Sequence, residues 1–446
     1  MIFERADGGL FFWNPHTPRF PSGMAVVVGG TGSGKSGLLN YTRTALAAAG
    51  YRLLSIDFGG SAARPCAALG GKFVDITDAR CAYRLGLFDI RPHSGEAYER
   101  DQLTPEGLPR DRLAEVEEMM EQLCLDPRAG REAGLHPRLS SYLRRAVRDT
   151  YATLVGDTPR LDDFISTLRL ARSRDRELAE ELAARLEIYA AEGSLGRFLN
   201  EAPDAEEIPS DCPYLVFDLR HARRDPRLML VASLAVNAFI RRLLHSDRRV
   251  PKYVDVDEFN VVAENPLICQ IINETMRTAR KLNTLGSVAT QSPGDFAANA
   301  VNPAAAGIRD NCEIFWLLRS SNPHLMAEVF QLRPGVARLV RELQTRTSDA
   351  WRDCVLLWPG GGCAYLRLRF GPVDGRLLLG AGHQVATLTA ARTELSAAMN
   401  GSAKPPARLL EALELDALNN PGTPLAKEEL LHTTGTESLH REGEGL

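Results

Sequence analysis

The sequence predicts an α/β fold with a mostly parallel central sheet, an all-helical insertion and a hairpin at the C-terminal edge of the sheet. Three observations support this. Strand and helix patterns alternate over residues 1–91, only helical patterns follow over 92–210, and the alternation resumes over 211–380. Strands that alternate with helices form a parallel sheet covered on both faces. For residues 381–446 we expect a helix and a disordered tail, because the sequence turns Ala/Leu/Glu-rich and then Gly/Thr/Glu-rich.

The first part contains three apolar runs that we interpret as strands, at residues 25–28 (AVVV), 52–57 (RLLSID) and 72–76 (KFVDI). A helix pattern follows the first run at 36–49, and a shorter one follows the second run after a glycine-rich turn. Such short apolar runs bounded by glycine are typical of strands buried in a parallel sheet.

The insertion shows apolar residues at helical spacing and no strand pattern. Leu113, Val116, Met120 and Leu123 recur every three or four residues, and similar patterns lie at 137–154 and 178–192. We therefore expect helices alone in this part.

The second part has four strand patterns and two intervening helices. The strands are predicted at 213–219, 251–257, 285–291 and 312–318, and the helices from 228 and over 267–282. Two further apolar segments, DCVLLW and CAYLRLRF, flank a Pro-Gly-Gly-Gly turn and predict an antiparallel hairpin at the sheet edge.

Composition limits the function classes. A net charge of −4 argues against a dedicated non-specific nucleic-acid binder. The eight cysteines form no C-x-x-C pair, which argues against structural zinc.

The N-terminus lacks the pattern of a signal peptide. The longest nearly apolar stretch, residues 228–240, is too short to cross a bilayer and indicates a buried helix, so we expect no transmembrane segment in this chain.

A glycine-rich loop, GGTGSGKS at Gly29–Ser36, follows the first strand and opens the first helix. This is the context that a phosphate-binding loop requires, because glycines let backbone N–H groups face the phosphates of a nucleotide. Lys35 would reach the β- and γ-phosphates of ATP, and Ser36 would bind Mg²⁺. The alternative is a glycine-rich turn that merely contains a lysine. The predicted nucleotide-binding residues are Gly30, Thr31, Gly32, Ser33, Gly34, Lys35, Ser36 and Gly37.

Polar residues at the ends of two later strands complete the predicted site. Asp257 would join the magnesium shell and Glu258 would polarise the attacking water, although adjacent carboxylates at a strand end also cap helices. Gln291 would orient water and sense the γ-phosphate, or else serve only as a turn former. Asp255 receives no role.

Basic residues near this block are candidates for a contribution from a neighbouring subunit. Arg277, Arg280 and Lys281 share one helix face, and Arg319 ends a strand. Ring-forming ATPases stabilise transition-state charge with such an arginine. The alternative is a solvated helix face paired with Glu274.

These motifs, in this order, resemble the TraC/TrbE (VirB-four) class of type IV secretion and conjugation ATPases. LFFWNP, GGTGSGKS and IDFGGS carry part of the resemblance, and MRTARKLNTLGSVATQSPGDF at Met276–Phe296 is its most specific block. The resemblance extends over Phe11–Phe370.

The resemblance implies a RecA-like P-loop NTPase that binds ATP and Mg²⁺ and forms homo-oligomers, as hexamers. It implies a position at the cytoplasmic face of the bacterial inner membrane, with other secretion ATPases and inner-membrane components as partners. Members carry an N-terminal domain before the motor, which we expect to be removed or to be a separate chain here. The residues that match the family's functional positions are Lys35, Ser36, Asp257, Glu258, Gln291, Arg277, Arg280 and Arg319, one arginine acting across a subunit boundary.

Three functions follow as hypotheses. The first is an ATPase that energises a secretion or conjugation apparatus. The second is a DNA-translocating hexameric ATPase of the coupling-protein or FtsK/HerA type, which the run RHARRDPR at Arg220–Arg227 favours. The third is a nucleotide-regulated scaffold that hydrolyses little. Nucleic acid is a possible partner in the first and a required one in the second.

Overall fold

The computed structural model describes most of the chain up to residue 369. The described residues are 1–17, 20, 23–75, 83–84, 86–91, 98–125, 134–154, 157–170, 173–193, 195–196, 199–200, 206–208, 211–245, 247–264, 266–297, 303–343 and 351–369. The helix and tail predicted for 381–446 lie outside these residues.

An eleven-stranded sheet organises the fold, in the order β2-β1-β13-β12-β11-β3-β10-β9-β4-β8-β5. Its strands are β1 Ile2–Arg5, β2 Leu10–Phe12, β3 Met24–Val28, β4 Arg52–Asp57, β5 Lys72–Asp75, β8 Tyr214–Asp218, β9 Lys252–Val256, β10 Thr284–Thr290, β11 Ile314–Leu317, β12 Trp351–Trp358 and β13 Gly362–Arg369. Neighbours from β11 to β5 pair in parallel, and those from β2 to β11 pair antiparallel. The mostly parallel sheet predicted from the sequence is confirmed.

The helices cover the sheet and form the intervening helical part. They are α1 Lys35–Ala48, α2 Ala63–Ala68, α3 Arg110–Cys124, α4 Pro137–Thr153, α5 Leu161–Arg169, α6 Arg176–Leu186, α7 Pro226–His245, α8 Phe259–Glu264, α9 Pro266–Thr278, α10 Pro303–Asp310, α11 Pro323–Val329 and α12 Pro334–Glu342. Among the described helices, α7 alone has the length and composition to span a bilayer, but most of its residues are buried in the protein. It is a core helix, as its apolar stretch indicated.

Helices α3 to α6 pack on one another through side chains such as Met120, Val147 and Leu182, all fully buried. The sequence prediction missed α5, although Leu161, Phe164, Ile165 and Leu168 are buried at helical spacing. It also missed a two-stranded sheet of β6 Tyr83–Arg84 and β7 Glu206–Glu207, because two-residue strands leave no periodic signal. The division into a motor and an insertion domain stays a prediction.

The hairpin of β12 and β13 forms as expected, but its predicted position at the sheet edge is wrong. The N-terminal strands β1 and β2 lie outside it, with Glu4 opposite Arg367 in the ladder. Phe3 and Trp13 hold them in place, because both side chains are buried against Trp316. Three- and four-residue strands are too short for the alternation pattern to be read in advance.

Candidate functional site

The glycine-rich loop lies where β3 ends, between the ends of β10 and β11. Gly29 N–H donates to the Thr290 carbonyl (3.2 Å), and Gly30 N–H donates to the Arg319 carbonyl (2.7 Å). Gly34 has a φ of 104°, and a Cβ there would meet the Arg352 side chain at 2.6 Å, so both conformation and space require glycine. The loop is thereby fixed to its two neighbouring strands and turns directly into α1.

Lys35 begins α1 and folds back over the loop. Its ammonium donates to the carbonyls of Gly29 (2.7 Å) and Gly30 (3.3 Å), and the side chain is nearly buried. Burial lowers the pKa of Lys35, and the carboxylates of Asp257 and Glu258 oppose that shift. A lysine held inside the loop in this way carries its charge to the place where phosphate oxygens would lie.

Asp257 faces this loop from the end of β9. Its Oδ2 accepts hydrogen bonds from the hydroxyls of Ser61 (2.7 Å) and Ser36 (3.5 Å), and its Oδ1 accepts from Glu258 N–H (3.0 Å). In the sheet β10 lies between β9 and β3, so Asp257 reaches the loop from the second strand along. Ser61 was missed, although it ends the IDFGGS segment that the resemblance had singled out.

The turn that carries Ser61 is shaped by Asp57 at the end of β4. Its buried carboxylate accepts from the N–H groups of Gly59 (2.8 Å), Gly60 (2.9 Å) and Ala62 (2.7 Å). Burial raises the pKa of Asp57, while Arg43 and the N–H donors act in the opposite direction. This carboxylate is therefore a structural anchor for the turn.

Gln291 directly follows β10 and reaches the loop. Its Oε1 accepts a hydrogen bond from the Thr31 hydroxyl (2.9 Å). Since Thr290 also holds Gly29, the strand between Asp257 and the loop contacts the loop at two points. A side-chain amide here stands beside any group that the loop binds.

The candidate arginines divide into two places. Arg319 follows β11 and is exposed beside the loop, which its carbonyl contacts. Arg277 is exposed on α9, which leads through a 3-10 turn into the amino end of β10. Seven residues of β10 separate that end from the loop, about 20 Å at the usual strand rise. Arg280 belongs to that 3-10 turn.

The predicted helix over 267–282 also ends earlier than expected. The α-helix stops at Thr278, the 3-10 turn occupies Ala279–Leu282, and Asn283 has a φ of 54°. Arg277 and Lys281 therefore do not share one regular helix face. This end of the helix could not be predicted, because the pattern of apolar residues continues through the turn.

A buried polar cluster that the sequence did not reveal lies beneath the site. The Arg43 guanidinium on α1 donates to the Asp255 carboxylate on β9 (Nε to both oxygens, 3.2 Å), and both side chains are fully buried. The Ser55 hydroxyl donates to the same carboxylate (2.6 Å) and contacts the Tyr214 hydroxyl. Burial opposes the charge of Arg43, but Asp255 outweighs it and raises the pKa of Arg43. This ion pair ties the helix of the loop to the strand of Asp257.

The residues present fit a nucleotide with a magnesium ion. The Ser33 hydroxyl is buried inside the loop and has no hydrogen-bond partner in the part of the chain that the structure describes, as expected of a donor that serves a bound phosphate. Ser36 and Asp257 offer the oxygen ligands that Mg²⁺ prefers. Among the described residues no cluster of three or more His, Cys, Asp or Glu could hold a metal ion.

Comparison with known proteins identifies the fold. No protein-family model matches the chain. The chain is 25% identical to Protein TraC of Escherichia coli (strain K12) over 364 residues, which cover 78% of this chain and 38% of TraC. It therefore spans well under half the length of that relative.

Two solved structures share its architecture. VirB4 of Thermoanaerobacter pseudethanolicus matches with a TM-score of 0.64 and 19% identity, over 83% of this chain and 96% of that one. The plasmid coupling protein TrwB, in complex with the non-hydrolysable GTP analogue GDPNP, matches with a TM-score of 0.52 and 15% identity, over 79% and 86%. The chain has the RecA-like P-loop fold of these proteins, and the resemblance to the TraC/VirB4 class is confirmed by sequence and by fold.

Proposed function

We propose that this chain is an ATP-hydrolysing motor that energises a type IV secretion or conjugative transfer apparatus, in its assembly or in substrate translocation. The observation that carries the proposal is the meeting of Ser36 with Asp257, at 3.5 Å, beside the buried Lys35. Residues 221 positions apart in the sequence come together there in the arrangement that a nucleotide with Mg²⁺ requires.

Each residue of the site has a role in this proposal. The loop from Gly30 to Gly37 binds the phosphates of ATP, with Lys35 on the β- and γ-phosphates. Ser36 and Asp257 hold Mg²⁺, which supplies the positive charge that phosphoryl transfer needs. Glu258 takes the proton of the attacking water, and Gln291 orients that water.

The arginines serve two sites in this proposal. Arg319 acts in its own subunit, since its backbone contacts the loop. Arg277 and Arg280 lie near the amino end of β10, away from the loop of their own subunit, and act on the loop of a neighbouring subunit. The chain then works as a homo-oligomer, as a hexamer, docked with other secretion ATPases and inner-membrane components at the cytoplasmic face of the bacterial inner membrane. Residues 92–210 are a helical insertion in the motor of residues 1–91 and 211–380.

Nucleotide binding and turnover test the proposal. Lys35→Ala is expected to abolish ATP binding, measured by calorimetry. Glu258→Gln is expected to keep ATP bound while turnover falls at least ~100-fold. Near-normal hydrolysis by Glu258→Gln would contradict the role of Glu258, whereas a low wild-type turnover that this variant leaves unchanged would support the scaffold hypothesis. Mixing Arg277→Ala subunits with Glu258→Gln subunits should restore part of the activity, and no restoration at any ratio contradicts the role between subunits.

The second candidate is a DNA-translocating ATPase, which the fold of TrwB favours. The run RHARRDPR offers less to DNA than its composition suggested, because Arg220 binds Asp218 and Arg223 contacts Glu258. An ATPase rate that rises with added duplex DNA and loses this rise steeply with salt would favour the second candidate. A rate indifferent to DNA favours the first.

A further inference from the structure

The arginine turn, residues 219–225, connects β8 to α7 and is fixed at both ends. At its start the buried Asp218 carboxylate accepts from Arg220 N–H (3.1 Å) and from the Arg220 guanidinium (2.6 Å to Nη2). At its end Asp225 accepts from the N–H groups of Arg227 (2.9 Å) and Leu228 (3.3 Å) and so caps α7. Hydrogen bonds therefore fix the arginine turn, as they fix the glycine-rich loop and the Asp57 turn.

The arginine turn is also docked against the site. Leu219 N–H donates to the Asp57 carbonyl (2.9 Å), and Ala222, in the middle of the turn, is fully buried. The Arg220 side chain lies so close to Gly60 that a Cβ there would meet its Nη1 at 2.6 Å. The turn therefore has a defined position relative to Asp57 and to the acidic pair.

From this position Arg223 reaches Glu258. Its Nη1 donates to Glu258 Oε2 at 3.4 Å, across 35 positions of sequence. Glu258 has a φ of 60°, which is uncommon for a residue other than glycine, and its side chain lies beside the Asp57 turn. There Oε1 lies 3.3 Å from where a Cβ on Gly59 would be. The carboxylate is thus placed between Gly59 and the Arg223 guanidinium.

We propose that Arg223 is a positioning residue for Glu258: it holds the carboxylate in the orientation from which it takes the proton of water. This inference rests on the proposed ATPase function. A glutamate side chain has three torsions, and a base must keep a narrow geometry to work. In the part of the chain that the structure describes, the side-chain donor on this carboxylate is Arg223.

Steady-state kinetics of Arg223→Ala test the proposal. We expect kcat to fall about two- to fivefold, since a half-exposed pair holds its partner weakly, with KM for ATP unchanged. Arg223→Lys should recover most of the loss, because it keeps a charged donor. Arg224→Ala is the matched control: this exposed neighbour lies on the same turn, and its substitution should leave kcat at the wild-type value.

Specific outcomes would overturn the inference. A wild-type or higher kcat for Arg223→Ala would do so, as would an equal loss in Arg224→Ala or a change confined to KM. In the Glu258→Gln background, Arg223→Ala should bring no further loss, and an additive loss would assign Arg223 another role.

Thermal unfolding separates this inference from the proposed function. If the wild-type chain shows no turnover, the ATPase proposal fails by itself. The Tm shifts of Arg223→Ala, Glu258→Gln and the double variant then still report the contact. The shifts should be non-additive, whereas additive shifts would show that the two side chains do not interact.

Discussion

Asp255 on β9 and Asp257 directly after it have different partners, although they are only two residues apart and nearly equally buried. Each accepts a serine hydroxyl, Ser55 and Ser61 respectively. Asp255 also has a full counter-charge in Arg43. Asp257 receives only hydroxyl and backbone donors among the described residues. Bonded partners rather than exposure distinguish the two carboxylates, and we propose that Asp257, which makes no ion pair among the described residues, leaves a place for a cation.

The largest expected effect on stability comes from Asp255→Ala, which leaves Arg43 buried and unpaired. Breaking a buried pair at one partner costs about 3–5 kcal/mol, so the free energy of unfolding should fall by that amount in urea titrations. Asp257→Ala is the matched control and should lower it by less than about 1 kcal/mol while removing Mg²⁺-dependent turnover. Equal losses of stability in both variants would erase the distinction between the two carboxylates.

A double variant sharpens the same point. Replacing both partners, Arg43→Met with Asp255→Leu, removes the charge and its counter-charge together. Similar replacements of buried pairs are often neutral, so the double variant should regain most of the stability that Asp255→Ala loses. If it does not, packing around α1 rather than charge accounts for the loss.

The two serines give an intermediate effect. Ser55→Ala removes one buried hydrogen bond from the Tyr214 hydroxyl and one from the Asp255 carboxylate, which costs about 1–3 kcal/mol of unfolding free energy. Ser61→Ala should cost less than about 0.5 kcal/mol but raise the Mg²⁺ concentration for half-maximal turnover, because Asp257 loses a donor that orients it. The free energy of unfolding and the Mg²⁺ concentration for half-maximal turnover should be measured for both variants. An unchanged Mg²⁺ requirement in Ser61→Ala would show that Ser61 is not part of the site.

Local patterns predicted the sheet and the loop because both depend on short stretches of sequence. The apolar run at 25–28, the glycines after it and the helix that follows indicate a phosphate loop by themselves. The neighbouring positions of Asp257 and Gln291 could also be expected, since the carboxyl ends of parallel strands meet at one edge of a sheet. The contacts of both with the loop agree with this.

Contacts between distant segments could not be predicted. Nothing near Asp255 in the sequence indicates Arg43, which lies 212 positions away. The partner of Arg223 and the placement of β1 and β2 outside the hairpin are likewise set by packing. Arginine runs look alike in sequence whether they bind acidic side chains or DNA, and RHARRDPR shows this ambiguity.

Lys35 should have a smaller effect on stability than Asp255 or Ser55, and among the described residues its charge makes no ion pair like that of Arg43 with Asp255. Burial lowers the pKa of Lys35 from its ordinary 10.5, so the unfolded chain holds this proton to a higher pH than the folded chain. The charged lysine therefore destabilises the folded state at neutral pH, and the penalty disappears as pH rises from the lowered pKa through the ordinary one. Lys35→Met should stabilise the nucleotide-free protein by about 0.5–1 kcal/mol at pH 7, as removal of strained functional groups commonly does. The advantage over wild type should shrink toward pH 10, measured by urea unfolding at both pH values, and a destabilised Lys35→Met would show that the contacts of Lys35 with Gly29 and Gly30 outweigh its burial.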